Sequence, residues 1–262
     1  LLATSTKTNF LTFIGSGPVG WYLNSKVSPG TRVALEHGGV APVIVEPDAD
    51  IADMIPALAK GGFYHAGQVC VSVQRIYVHE SIFDEVANKL ANVASKLVVG
   101  DQLDPKTEVG PLINNDEVNR VEEWVNDAVA KGAKILTGGK RIGASCFEPT
   151  VILNPSEDAI ISQKEIFGPV VCIYSYKTLD EAIARANSLE VSFQAAVFTK
   201  NIDTALKAVK RLNATAVMVN DHTAFRVDWM PFGGARISGL GMGGIPYSME
   251  EMSNEKMMVI KS

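Results

Sequence analysis

The sequence predicts an α/β fold on a mixed, largely parallel sheet. Short apolar runs rich in β-branched residues alternate with helical stretches from end to end, and several of those stretches repeat their apolar residues at steps of three and four. Asn9-Phe10-Leu11-Thr12-Phe13-Ile14 reads as a buried strand, stopped by Gly15-Ser16-Gly17-Pro18, where Pro18 suits the first turn of a helix. Arg32-Val33-Ala34-Leu35 and Pro42-Val43-Ile44-Val45 are the next strands, and residues 48–61 read as a helix. Over residues 81–98 the spacing of Ile82, Val86, Leu90, Val93 and Leu97 predicts an amphipathic helix, with Ser81 and Asp84 as a capping box. Val118, Val121, Val125 and Ala128 mark a second such helix, and Thr178 followed by Glu181 marks the start of a third. Val170-Val171-Cys172-Ile173 and Ala216-Val217-Met218-Val219 read as interior strands. Residues 232–244 form a glycine-rich loop, and Lys256-Met257-Met258-Val259-Ile260 reads as a closing strand.

Composition narrows the function classes. The 262 residues are 47% hydrophobic, enough for one large core or two modest ones. A net charge of −5, spread over 29 acidic and 24 basic residues without long like-charge blocks, disfavours nucleic acid or an anionic membrane as the main partner. No apolar run approaches the ~18–20 residues of a membrane span, and the first residues lack the pattern of a signal peptide. The expectation is a soluble, cytoplasmic enzyme with a small substrate. Cys70, Cys146 and Cys172 are odd in number and form no C-x-x-C pair, so at least one thiol is expected to be free and no metal site is expected.

Gly15-Ser16-Gly17-Pro18-Val19-Gly20 matches G-x-G-x-x-G between a strand and a helix, the setting in which a helix N-terminus meets a pyrophosphate. Gly239-Leu240-Gly241-Met242-Gly243-Gly244 matches the same pattern with no strand before it, and reads as a structural loop. The first match reads as a cofactor-facing loop, and Glu36 stands near the distance at which an acidic residue would hold a ribose.

More specific are four motifs in order: Leu35-Glu36-His37-Gly38-Gly39, Gly67-Gln68-Val69-Cys70, Glu165-Ile166-Phe167-Gly168-Pro169 and Pro231-Phe232-Gly233-Gly234. Together they resemble the aldehyde dehydrogenase superfamily over the whole chain. The resemblance implies that Cys70 is a nucleophile that forms a thioester, a task thiolates perform well, and that Glu36 is the base activating the water that breaks it. A carboxylate at that place implies an acid product rather than a coenzyme A thioester, and displaces ribose binding as the role of Glu36. It further implies that Glu165 holds the nicotinamide ribose, that Phe167 packs near the ring, and that Gly15 and Ser16 border the cofactor, NAD or NADP. The Cys70 backbone N–H would be one oxyanion donor. Cys146 and Cys172 are expected to be buried and inert, and Cys70 easily ionised.

By the same resemblance, residues 1–37 are the tail of a cofactor domain, 38–236 the catalytic domain, and 237–262 a loop and a strand that pairs with another subunit in a homodimer or homotetramer. It implies that roughly the first half of a typical member lies before Leu1. That half would include the asparagine oxyanion donor and the adenosine-ribose contacts, so the chain alone is expected to oxidise little. Arg226 precedes the Pro231 motif in a region that lines the substrate tunnel in the family. It is expected to grip a small anionic aldehyde through a carboxylate, sulfonate, phosphonate or phosphate, unless it pairs with Asp228 or faces solvent. His37 stands where many relatives have leucine, and is expected either to be a spectator facing away along the strand or to tune Glu36. Two other readings use the same residues: a non-catalytic oligomerisation fragment, and a thiol esterase working without cofactor. A Cys70–His65 hydrolase lacks an Asn or Asp partner motif.

Overall fold

The computed structural model describes residues 2–262. It opens with β1 (Phe10–Ile14), α1 (Gly17–Asn24), β2 (Arg32–Glu36), β3 (Pro42–Val45), α2 (Ile51–Phe63), β4 (Arg75–His79) and α3 (Phe83–Ala94). Then come α4 (Asn115–Ala130), β5 (Lys134–Thr137), β6 (Arg141–Ile142), β7 (Cys146–Phe147), β8 (Thr150–Leu153), α5 (Ile160–Gln163), β9 (Val170–Tyr176) and α6 (Leu179–Ala186). It ends with β10 (Val191–Ser192), β11 (Gln194–Phe198), α7 (Ile202–Arg211), β12 (Ala216–Val219), β13 (Ala235–Arg236), β14 (Gly239–Leu240) and α8 (Ile245–Glu251).

Seven strands form one sheet in the order β12-β11-β3-β4-β9-β8-β5, parallel throughout except for the β5–β8 pair. The mixed, largely parallel α/β sheet expected from the sequence is therefore present. The β3-to-β4 crossover through α2 runs one way across the sheet, and the β9-to-β11 crossover through α6 runs the other. Right-handed crossovers then put α2 and α6 on opposite faces, so the central strands are covered on both sides. Val43, Ile44 and Val45 in β3 and Val171, Cys172 and Ile173 in β9 are fully buried, which is why these runs are continuously apolar.

A smaller sheet has the order β1-β2-β14, with β1 parallel and β14 antiparallel to β2. It is thinly covered. The strand expected at residues 9–14 is formed but not buried, since Ile14 is 72% exposed. Glu36 ends β2, paired with Ile14 on one side and Gly239 on the other.

Local signals held where the cap is local. The Thr178 side chain accepts from the Glu181 N–H, and Glu181 reaches back to the Lys177 N–H. The expected Ser81–Asp84 box does not form; residues 80–82 are a short 3-10 turn capped by His79, whose Nδ1 takes the Ser81 N–H, and α3 begins only at Phe83. Residues 216–219 form an edge strand rather than an interior one, because β12 pairs with β11 alone and Val219 is exposed. The terminal run is not a strand here: Met257, Met258, Val259 and Ile260 are exposed, and among the described residues no strand edge pairs with them. No helix among the described residues is long and apolar enough to cross a membrane.

Candidate active site

The two sheets meet end to end. Residues 37–41 link the carboxyl end of β2 in the small sheet to the amino end of β3 in the large one. The turn carrying Cys70 lies before β4, β3's neighbour, and the Gly39 N–H donates to the Cys70 carbonyl at 3.3 Å. Cys70 and Glu36 are thereby brought face to face from different sheets, with Sγ 3.8 Å from Glu36 Oε1.

The Cys70 turn is built from backbone that few residues accept. His65, Ala66 and Gly67 all have φ between 51° and 70°, and a Cβ on Gly67 would lie 2.0 Å from the Gly168 carbonyl oxygen. Gln68 pins the turn through bonds from its amide to the His65 and Pro111 carbonyls, and it accepts the Ile113 N–H. The Cys70 N–H donates to no backbone carbonyl among the described residues. The His65 ring lies tilted against Tyr64, with centroids 5.1 Å apart, and makes no hydrogen bond to Cys70 among the described residues.

Cys70 was expected to ionise readily, and its surroundings oppose this. Burial pushes the thiol up to about 12, and the carboxylates of Glu36 and Glu165 push in the same direction. Glu36 is itself raised by burial, partly offset by the positive charge of Arg226 and by the Cys70 hydrogen bond. Cys146 and Cys172 are buried as expected, Cys172 completely.

Glu165 lies on the same side of Cys70 as the Gly38-Gly39 link. A Cβ at Gly38 would fall 1.8 Å from Glu165 Oε1, so only glycine leaves room for that carboxylate. Burial raises Glu165 to about 8 despite Arg120, and its Oε1 is buried with no hydrogen-bond partner among the described residues. An orphaned buried acceptor of this kind suits a hydroxyl-bearing ligand such as a ribose. Two side chains the sequence reading missed hold the Glu165 turn. Gln74 accepts the Ile166 N–H at 2.8 Å and donates to the Lys164 carbonyl at 2.7 Å, and Arg120 donates to the Ile166 carbonyl at 2.8 Å. A buried glutamine at a strand start and an arginine beside an apolar helical face were the available signals. Phe167 stands next in the turn, at φ 49° and 40% exposed.

Gly15 lies one residue past the Ile14–Glu36 pair, and its N–H donates to the Glu36 carbonyl at 3.0 Å. Ser16 caps α1 by position, its hydroxyl making no capping bond. Arg226 stacks on Phe232, its guanidinium carbon 4.3 Å from the ring centroid, and has no carboxylate partner among the described residues, so the alternative Asp228 pair is not formed. Arg226 and Glu36 line one cavity of about 180 Å³ together with Phe232 and Met242. The loop bearing Arg226 is tied to the Cys70 turn by Thr223, a fully buried residue also missed, whose hydroxyl donates to the Val71 carbonyl at 2.7 Å. The His37 ring faces α1, away from Glu36. The second glycine run is structural: Gly239 and Leu240 form β14. Among the described residues no cluster fits a metal ion.

A thiol facing a carboxylate across the junction of two sheets, beside a second buried carboxylate and a glycine loop, is an arrangement chemically suited to nucleophilic attack. Residues 1–258 match the aldehyde dehydrogenase family, and the chain belongs to it. It is 42% identical over 259 residues to 3-sulfolactaldehyde dehydrogenase of Priestia aryabhattai, covering 99% of this chain and 54% of the relative. Among solved structures it resembles glyceraldehyde-3-phosphate dehydrogenase from Methanocaldococcus jannaschii complexed with NADP, with a TM-score of 0.93 and 43% identity, over 97% of this chain and 55% of that one. It also resembles aldehyde dehydrogenase 21 from Physcomitrella patens in complex with its reaction product succinate, with a TM-score of 0.92 and 40% identity, over 95% and 52% of the two chains. The chain thus spans about half the length of the relatives it matches.

Proposed function

We propose that this chain is the catalytic half of an aldehyde dehydrogenase that converts small anionic aldehydes to carboxylic acids through a thioester on Cys70, using NAD or NADP. The observation that carries the reading is the 3.8 Å contact of Cys70 Sγ with Glu36 Oε1. Glu36 takes the thiol proton as sulfur attacks the carbonyl carbon, forming a C–S bond and placing negative charge on the aldehyde oxygen. The Cys70 N–H, free of other carbonyls, is placed to donate to that oxygen. The nicotinamide, when bound, supplies the acceptor for the hydride that leaves the former aldehyde carbon. Glu36 releases the thiol proton to solvent and then draws a proton from water, whose oxygen adds to the thioester; the C–S bond breaks as this adduct collapses, and the proton passes from Glu36 to sulfur.

Glu165, with its orphaned Oε1, is assigned to the nicotinamide ribose, and Phe167, Gly15 and Ser16 to the border of the ring. Arg226 is assigned to the anionic end of the substrate. It is exposed, without a carboxylate partner, and shares the cavity with the base. Relatives named for sulfolactaldehyde and a neighbour bound to succinate fit the same choice. We propose the domain division at residues 37/38 and 236/237, supported by the change of sheet between β2 and β3 and between β13 and β14. A subunit contact through residues 256–260 and a cytoplasmic location complete the proposal.

The test is absorbance of reduced cofactor with the intact protein, NAD or NADP, and a panel of anionic and neutral aldehydes. The expected result is turnover favouring the anionic members, with kcat/KM on them falling about 10–100-fold in Arg226→Ala, the worth of a hydrogen bond to a charged group. No turnover with any aldehyde sinks the enzymatic reading. Equal loss on neutral and anionic aldehydes sinks the role of Arg226.

A further inference from the structure

We propose that His37 is a positioning residue: by donating from Nδ1 to the Gly15 carbonyl it sets the loop at residues 15–17 against Glu36, and with it the nicotinamide end of the cofactor. This rests on the reading above, in which Gly15 and Ser16 border the cofactor.

Successive side chains of a strand point to opposite sides. At the end of β2 that places Glu36 toward Cys70 and His37 toward α1, where its ring is 3% exposed. His37 Nδ1 lies 2.8 Å from the Gly15 carbonyl oxygen. A carbonyl only accepts, so Nδ1 carries the hydrogen. Nε2 is buried with no partner among the described residues, and a proton there would be a buried donor with nothing to receive it. One tautomer is thereby selected. The neighbouring backbone completes the grip: the Gly15 N–H donates to the Glu36 carbonyl at 3.0 Å, and the His37 N–H to the Ser238 carbonyl at 2.9 Å. Both polar groups of Gly15 are thus bonded to the Glu36-His37 dipeptide, one through backbone and one through the imidazole.

Packing fixes the ring itself. A Cβ on Gly20 would sit 2.0 Å from His37 Cε1, and one on Gly17 would sit 3.9 Å from Cδ2, so α1 rests its glycine face on the imidazole. Phe13 and Trp21 flank it with centroids at 6.2 and 6.0 Å. The glycine pattern of residues 15–20 therefore has a local cause: a Cβ on Gly15 would lie 2.7 Å from Phe13 Cζ, and Gly20 makes room for the imidazole ring. A leucine at position 37 would fill the space and leave the Gly15 carbonyl without its donor.

The test uses the intact protein with His37→Leu, His37→Asn and His37→Gln. Asparagine places an N–H donor near the position of Nδ1, glutamine near that of Nε2. Calorimetric titration is expected to show His37→Leu weakening cofactor binding several-fold, up to about tenfold. Cofactor KM should rise in parallel while aldehyde KM moves less than twofold. His37→Asn should recover most of the loss and His37→Gln should not. If the leucine variant does not fold, the asparagine and glutamine pair decides. A nitrogen-15 imidazole spectrum of the unliganded protein should show His37 protonated at Nδ1 and bare at Nε2. The opposite tautomer, wild-type cofactor affinity in His37→Leu, or equal behaviour of the asparagine and glutamine variants would overturn the assignment. A wild-type protein that turns over aldehydes while one of these outcomes appears overturns this inference alone. A wild type that binds no nicotinamide cofactor overturns the parent reading and this one with it.

Discussion

The two sheets are stabilised in different ways. The seven-stranded sheet is covered on both faces, and its central strands hold residues such as Ile44 and Val171 with no exposed surface. The three-stranded sheet is half-exposed, and hydrogen bonds at one corner tie it down. There Ser238 donates from its hydroxyl to the Gly38 carbonyl and receives the Ser192 N–H, and Trp21 donates to the Ile237 carbonyl. Cys70 belongs to the first region and Glu36 to the second. Their contact is therefore only as secure as the hydrogen-bonded corner, and burial in the large core does not guarantee it.

Several measurements would break or sharpen this contrast. The largest effect is expected for Cys70→Ala, which should lower both aldehyde oxidation and ester hydrolysis by at least ~10⁴-fold with little change in melting temperature. Activity within tenfold of wild type would remove Cys70 from the chemistry. Next, Ile44→Ala in β3 should cost about 2–5 kcal/mol in urea denaturation, whereas Leu11→Ala in half-exposed β1 should cost about 1 kcal/mol, in proportion to the smaller area buried. Equal costs would show that the two sheets are not stabilised differently.

Ser238→Ala leaves the Ser192 N–H and the Gly38 carbonyl without their side-chain partner, for which about 1–3 kcal/mol is expected. Acylation and thioester hydrolysis should both slow, since each needs Glu36 held in place. Rapid-quench measurement of the acyl-enzyme separates the two steps. An effect confined to either step would contradict the corner's role.

The smallest and most direct effect concerns Glu165. Its folded value of about 8 lies above the ordinary 4.5, so its contribution to stability is fully present below about 4.5 and is lost as pH rises through about 8. Glu165→Gln should flatten that decline, read as denaturation midpoints across the range. Above about pH 8, where Glu165 is ionised, the same change removes a negative charge that raises Cys70, so there iodoacetamide should alkylate Cys70 several-fold faster in Glu165→Gln. In the wild type the reaction should be slow at neutral pH and climb with pH, with Cys70 still labelled before Cys146 and Cys172. Unchanged labelling in the variant would mean that the two side chains do not sense each other.

The contrast also explains what the sequence made legible. Strands β3, β4 and β9 are buried on both faces, and continuous apolar runs announce that. The run at residues 216–219 has the same composition at a sheet edge, and composition alone does not say which side of a strand is left unpaired. The Thr178 cap was readable because all its atoms lie within a few residues. At Ser81 an equally local competitor, the His79 ring, took the capping position. The Cys70–Glu36 pair was legible only through motif resemblance, since no periodicity reports that a turn before one strand faces the end of another. Ready ionisation of Cys70 was misjudged because its burial, and the charges of Glu36 and Glu165 beside it, come from segments distant in sequence. Thr223, Gln74 and Arg120 act through bonds to backbone carbonyls or N–H groups far along the chain, and nothing near them in sequence marks the partner.

Cys70 stands at the amino ends of the parallel strands, and this gives the molecule a usable back. At the opposite ends of β3 and β11, Asp48 accepts from the Thr199 hydroxyl and the Lys200 N–H, while the Lys200 side chain, 64% exposed, pairs with Asp50. A surface pair of that kind contributes about 0–1 kcal/mol, so Lys200 can be exchanged for a chemical handle at small cost. Attached to an electrode or bead at that position, the protein would present its Cys70 end outward, a full strand length away from the support.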